Sequence, residues 1–213
     1  MRLGLFLVLY MFFAPQALAY VPVLVEQESL NDITQIADPT LAQGFFGTLD
    51  SFPQTYEIHA SEPFTLYANI RTPDLPSNTN TVSGIIIKEE KRGVSEITRM
   101  HAADAAWETV HDTLTGNSYR EGATFEKELE PGVYRIEVHT PDNAEKYVLM
   151  VGKRDDMTLG YFSLLGRLID VQRFNERSAF FMVLSPYVYI PLGIIMGGIG
   201  GVWWYKRRPK VQK

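Results

Sequence analysis

Five residues in one short stretch, His101, Asp104, Glu108, His111 and Asp112, are the group in the chain best placed for chemistry. Imidazole nitrogens and carboxylate oxygens together make a ligand set for zinc or a related divalent ion. On a helix, His101, Asp104, Glu108 and His111 would share one face. Their spacing matches neither His-Glu-x-x-His nor a close variant of it, and the stretch lies between expected strands. A solvated excursion with Trp107 tucked against the domain accounts for it more simply, so no metal is expected. His59 and His139 stand singly on expected strands and read as ordinary sheet residues. The chain has no cysteine, which excludes disulfides, thiolate metal sites and cysteine nucleophiles. Gly-x-Ser-x-Gly, the P-loop and the dinucleotide fingerprint are also missing, and the acids are scattered without an acid–base pair. Neither catalysis nor a cofactor is expected.

The elements that would carry these residues are framed by two apolar ends. Residues 1–19 read as an export signal, with Arg2 in front, Leu3 to Phe13 apolar, and Ala17-Leu18-Ala19 as a small-x-small cleavage pattern. Residues 179–205 carry no charge, and such a run is long enough to cross a hydrocarbon core of about 30 Å. Trp203, Trp204 and Tyr205 stand at its far end as an interfacial belt, followed at once by Lys206, Arg207 and Arg208 in the basic tail 206–213. The positive-inside rule puts that tail in the cytoplasm and the main domain outside, which is also where the signal would deliver it. Pro186 and Pro191 lie in the outer half of the span, where a proline kinks a helix or begins it. Gly193, Gly197 and Gly201 repeat every fourth residue on one helix face, a spacing that lets two helices approach closely in lipid.

Charge follows the same division. The chain has 20 basic and 25 acidic residues for a net charge of −5, and the two basic ends leave the middle at −11. An acidic middle argues against nucleic acid, whose binding is driven by Lys and Arg neutralising phosphates.

Between the ends the pattern is that of strands. Phe64, Leu66, Ala68 and Ile70 alternate with Thr65, Tyr67, Asn69 and Arg71, the period of a strand with one face buried. Further runs lie at 44–49, 55–60, 82–89, 94–100, 124–129, 132–139 and 146–152, with the charged turn Glu90 to Gly93 inside one pair. The last two read as a hairpin closed by Pro141-Asp142-Asn143. The spacing predicts an all-β fold, an antiparallel β-sandwich of jelly-roll or immunoglobulin-like outline over 44–153, preceded by an extended segment over 20–43. Over 154–178, Phe162, Leu165, Leu168, Ile169 and Val171 alternate with charged residues at helical spacing. That predicts an amphipathic juxtamembrane helix, lying on the membrane surface or packed under the domain.

The stretch Glu130-Pro-Gly-Val-Tyr-Arg-Ile-Glu-Val, then Pro141-Asp-Asn and Lys146-Tyr-Val-Leu-Met-Val-Gly, resembles the closing strands of bacterial pre-peptidase C-terminal domains and related exported β-sandwiches. Phe46-Gly-Thr-Leu, Tyr56-Glu-Ile-His and Pro63-Phe-Thr-Leu-Tyr are similar to their opening strands. The resemblance spans Gly44 to Gly152. It implies an accessory module for adhesion, carbohydrate or protein contact, with no shared catalytic residue. The longer polar loop Leu75 to Thr81 stands where that family often carries a tight aspartate-rich turn, so no calcium role is carried over.

The expected function is a non-catalytic, membrane-anchored interaction or assembly module of the cell envelope. Its partners would be membrane lipid and a protein, or a second copy met through the span. The rival expectation is a sensor or capture subunit for a carbohydrate or ion, using the loops Leu75 to Thr81 and Met100 to Ala123.

Overall fold

The computed structural model describes residues 20–155 and 159–207, so the export-signal reading of 1–19, and Arg208 with the rest of the tail, lie outside the described residues. Eleven strands are present among them: β1 (Val21–Leu24), β2 (Ile33–Gln35), β3 (Gln43–Thr48), β4 (Gln54–Ala60), β5 (Phe64–Pro73), β6 (Ser83–Glu90), β7 (Gly93–Met100), β8 (Glu108–Asp112), β9 (Asn117–Leu129), β10 (Gly132–His139) and β11 (Lys146–Val151). They form a six-stranded sheet in the order β1-β3-β11-β5-β9-β8 and a five-stranded sheet in the order β2-β4-β10-β6-β7. The chain steps from one sheet to the other at nearly every connection. Only the hairpins β6–β7 and β8–β9 stay within a sheet.

Two expectations change here. The sheets are mixed, because β1 runs parallel to β3 and β2 parallel to β4. A tight turn forces the next strand to run back, but an excursion through the opposite sheet leaves direction free. The segment 20–43 supplies both of these short edge strands, and Pro22 sits on one of them, where a missing N–H costs least. Second, β10 and β11 are not a hairpin. β10 lies between β4 and β6, whereas β11 lies between β3 and β5 in the other sheet. The turn residues act instead as an arch between sheets: the Thr140 backbone N–H donates to Asn143 Oδ1 at 3.1 Å, and Asn143 adopts φ 48°.

The sheets pack face to face. Phe45, Leu66, Ala68, Ile70, Tyr147, Leu149 and Val151 of the six-stranded sheet meet Tyr56, Ile58, Ile86, Tyr134, Ile136 and Val138 of the five-stranded one. Burying each such side chain stabilises by roughly 1.5–3 kcal/mol. One polar chain crosses this core. The Tyr56 hydroxyl donates to the Tyr147 hydroxyl at 2.6 Å, which donates to Gln54 Oε1 at 2.5 Å. Gln54 Nε2 then reaches the Thr48 carbonyl at 3.0 Å, so the buried hydroxyls leave no donor unpaired.

A second apolar layer covers the outside of the six-stranded sheet. Helix α1 (Tyr161–Phe174) buries Leu164, Leu168 and Val171, spaced as one helical stripe, against Phe46, Val148, Met150, Tyr119 and Leu114. Its end is fixed by Asn175, whose amide donates to the Tyr119 hydroxyl at 3.0 Å, and by Gln172, which donates to the Thr115 carbonyl at 2.7 Å. The Arg167 guanidinium reaches the carbonyl of Pro22 on β1. A 3-10 segment, Ala179–Leu184, leads into α2 (Pro186–Arg207). Within α2, Pro186–Trp204 is long and apolar enough to cross a membrane; none of its side chains is fully buried, and only its first turn packs against the domain.

Candidate functional site

The five residues considered for metal binding are not brought together. His101 precedes a short 3-10 turn (Ala102–Asp104), and Glu108 to Asp112 form the edge strand β8, paired with β9 from Glu108 opposite Glu121 to Asp112 opposite Asn117. A strand places His111 and Asp112 on opposite faces, so the shared face required a helix that does not form. His101, Asp104, Glu108 and His111 are exposed. Among the described residues no group of three or more histidines and acids could hold an ion. Asp112 has a structural task instead. It accepts from the Tyr20 hydroxyl at 2.7 Å, the Thr115 hydroxyl at 2.6 Å and the Leu114 N–H at 3.1 Å, closing the β8–β9 turn. Burial, with the Asp112 carboxylate beside it, holds the Tyr20 hydroxyl far above its ordinary titration range. Trp107 does tuck against the core, its indole N–H donating to the Ala102 carbonyl at 2.8 Å.

The outer face of the five-stranded sheet is the open one. At its centre Glu57, on β4, accepts from Gln35 Nε2 at 3.0 Å and His59 Nε2 at 2.8 Å on one oxygen, and from Arg135 Nε at 2.8 Å on the other. Arg135 also reaches Glu89 on β6 at 2.7 Å, so this network spans β2, β4, β10 and β6. The hydrogen bond from Gln35, then those from Arg135 and His59, hold the Glu57 carboxyl at about 2 against the opposing effect of burial. Beside the network runs a groove of about 780 Å³, where Ile33, Ile85, Ile87 and Val94 lie among Arg99, Glu137 and His139. His59 and His139 thus both belong to this face, one in the ion-pair network and one in the groove. The two loops expected to share a site do different things: Val110 to Thr113 line a second cavity of about 530 Å³ with Tyr67, Arg71 and Lys153. The loop Leu75 to Thr81 is drawn down onto Glu145, which accepts from the hydroxyls of Thr79 and Thr81.

Helix α2 presents its glycines openly. Gly193, Gly197 and Gly201 share one face of α2, and a Cβ built on any of them meets nothing within 4 Å. Near its end Trp203 and Trp204 are exposed, and the Arg207 guanidinium lies 3.7 Å from the centre of the Trp203 ring. Tyr205 and Lys206 follow in the same helix.

The start of α2 is built into the domain. Pro186 occupies its first position, as a missing N–H permits, and Ser185 accepts from the N–H groups of Val188 at 2.9 Å and Tyr189 at 3.0 Å. Pro191 cannot donate to the Tyr187 carbonyl one turn earlier. The Tyr161 hydroxyl of α1 donates to that carbonyl instead, at 3.1 Å. Met182, Tyr187 and Val188 pack against the apolar layer under α1. Gly116, at φ 72°, lets Leu184 come close enough that a Cβ there would sit 2.6 Å from Leu184 Cβ. The Tyr161–Tyr187 and Gly116–Leu184 contacts of this junction were not legible in sequence, because each joins residues far apart in the chain.

No protein-family model matches the chain, and no curated protein does. Among solved structures it is similar to the pre-peptidase C-terminal domain of a collagenase from Bacillus anthracis, at 11% identity and a TM-score of 0.38, over 59% of this chain and 98% of that one. It is also similar to a β-glucosidase from Paenibacillus barengoltzii, at 10% identity and a TM-score of 0.27, over 62% of this chain and 13% of that one. Likenesses of this size assign neither a family nor an activity.

Proposed function

We propose that the chain is a single-pass envelope protein whose two-sheet domain lies outside the cytoplasm and serves as a non-catalytic interaction or assembly module. The carrying observation is α2, an apolar run of 19 residues that the domain holds only by its first turn and leaves exposed beyond it. Its length, about 28 Å at 1.5 Å per residue, suits a hydrocarbon core of about 30 Å. The aromatic and basic residues at its far end fit a cytoplasmic interface. The open glycine face makes a second copy the preferred partner within the membrane. Protease added to spheroplasts expressing the full chain with a C-terminal epitope should remove the domain and leave a small tagged fragment. Protection of the domain in intact spheroplasts, with digestion after lysis, would refute the orientation.

A second reading is favoured by the groove on the five-stranded sheet, which could take a small ligand between Ile85, Ile87 and Arg135. The detergent-solubilised chain would then gain thermal stability with a sugar or divalent ion. Unchanged melting across a panel of both would remove that reading.

A further inference from the structure

We propose that the foot of the domain, formed by Phe162, Phe180, Phe181 and Leu184, is immersed at the headgroup–acyl boundary of the outer leaflet, so that the domain sits down on the membrane. The inference rests on the single-pass reading and deepens it by naming a second lipid contact outside the span.

Among the described residues outside α2, the large aromatic side chains left exposed, Tyr161, Phe162, Phe180 and Phe181, all belong to α1 or the 3-10 segment. Phe162 is 84% exposed and Phe180 75%, with Phe181 and Leu184 also open, and all four belong to α1 or to the 3-10 segment before α2. Phe162 was expected on the apolar face of an amphipathic helix; the face packed on the sheet is Leu164, Leu168 and Val171, and Phe162 is left outside it. Large aromatics are rarely left in water in such a group without a surface to meet them.

What that surface is follows from the junction. The hydrogen bond from Tyr161 to the Tyr187 carbonyl puts the first turn of α1 beside the first turn of the span. Phe180, Phe181 and Leu184 precede the span directly, in a segment whose entry is capped by the Ser178 side chain and whose exit is the buried Ser185. With Tyr187 and Val188 packed into the domain, no slack remains that could lift the foot away from the bilayer.

The charges agree with an interfacial depth. From Gly160 to Tyr205 the only acids are Asp170 and Glu176, and each is paired, with Arg173 at 3.4 Å and Lys146 at 2.9 Å. The Arg177 guanidinium lies 5.4 Å from the Phe181 ring centre, the combination of cation and aromatic ring suited to a headgroup layer.

Because the chain has no cysteine, single cysteines can carry a nitroxide without background. Phe162→Cys, Phe180→Cys, Val94→Cys and Met196→Cys would each be labelled in the full chain, in vesicles of three parts phosphatidylcholine to one part phosphatidylglycerol. Collision with oxygen is then compared with collision with a water-soluble nickel chelate. The oxygen-to-nickel ratio is expected to be highest at 196, in the span, and at least about threefold higher at 162 and 180 than at 94, on the open sheet. Aqueous values at 162 and 180 with a lipid value at 196 would overturn the seated foot and leave the span intact. An aqueous value at 196 would overturn both. A raised ratio at 162 and 180 that vanishes on dilution of protein in lipid, with spin–spin broadening before dilution, would assign the patch to a second copy and overturn the lipid contact.

Discussion

On the outside of the six-stranded sheet, Phe46, Val148 and Met150 lie under Leu164, Leu168 and Val171 of α1. On the outside of the five-stranded sheet, Glu57, Arg135, Ile85 and Ile87 face outward without such a cover among the described residues. The two faces therefore solve one problem differently. The first removes apolar surface from water with a helix, and that helix also holds the start of α2. The second makes the sheet compatible with water by ion pairs across neighbouring strands, and leaves an apolar stripe beside them. The closed face holds the start of α2, and the open face keeps a groove of about 780 Å³.

Substitutions on each face test the contrast. Leu168→Ala should lower stability by about 3 kcal/mol, since Leu168 is fully buried and the cavity left under α1 cannot collapse. Denaturant unfolding of the detergent-solubilised chain measures this, and a loss below about 1 kcal/mol would mean that α1 rests only loosely on the sheet. Glu57→Gln should cost less, about 1–2 kcal/mol at neutral pH, because its partners Arg135 and His59 are partly exposed. The pH dependence is the sharper readout. With the folded carboxyl at about 2 against an ordinary 4.5, the stabilisation is fully present above pH 4.5 and is lost as pH falls towards 2. The Gln variant should lack this part of the acid limb, and an unchanged acid profile would count against the network. Smallest of all, Val94→Ser should change stability by less than about 0.5 kcal/mol, because Val94 is 60% exposed. If this face meets a partner, the same variant should release it in a pull-down from solubilised membranes while melting normally.

Sequence patterning found the strands that are buried on one side. The alternations in β5 and β10 led directly to Leu66, Ala68, Ile136 and Val138 in the core. It failed where two arrangements share a pattern. A hairpin and an arch both place a turn between two apolar strands, so Pro141-Asp142-Asn143 could not decide between them. The distinguishing signal was in β11 itself. Tyr147-Val148-Leu149-Met150-Val151 is apolar throughout, as expected of a strand covered on both sides, whereas β10 alternates. β1 and β2 were too short to show a period, and β8 was hidden by its histidine and two acids. The site was less legible than the fold. Glycine spacing and terminal aromatics could be read along one helix, but the Glu57 network and the Tyr161–Tyr187 link depend on pairings across the sheets and helices that no local window contains.

The carbonyl that Pro191 leaves free, and that Tyr161 takes, has a directional consequence. A receptor on a loose stalk can turn its head independently of its stem. Here the head is keyed to the shaft, so any roll of α2 about its own axis swings the open sheet through the same angle. A seam through Gly193, Gly197 and Gly201 would fix that roll, and with it the bearing of each groove relative to the neighbouring copy's. Contacts made within the bilayer would then aim the surface outside it.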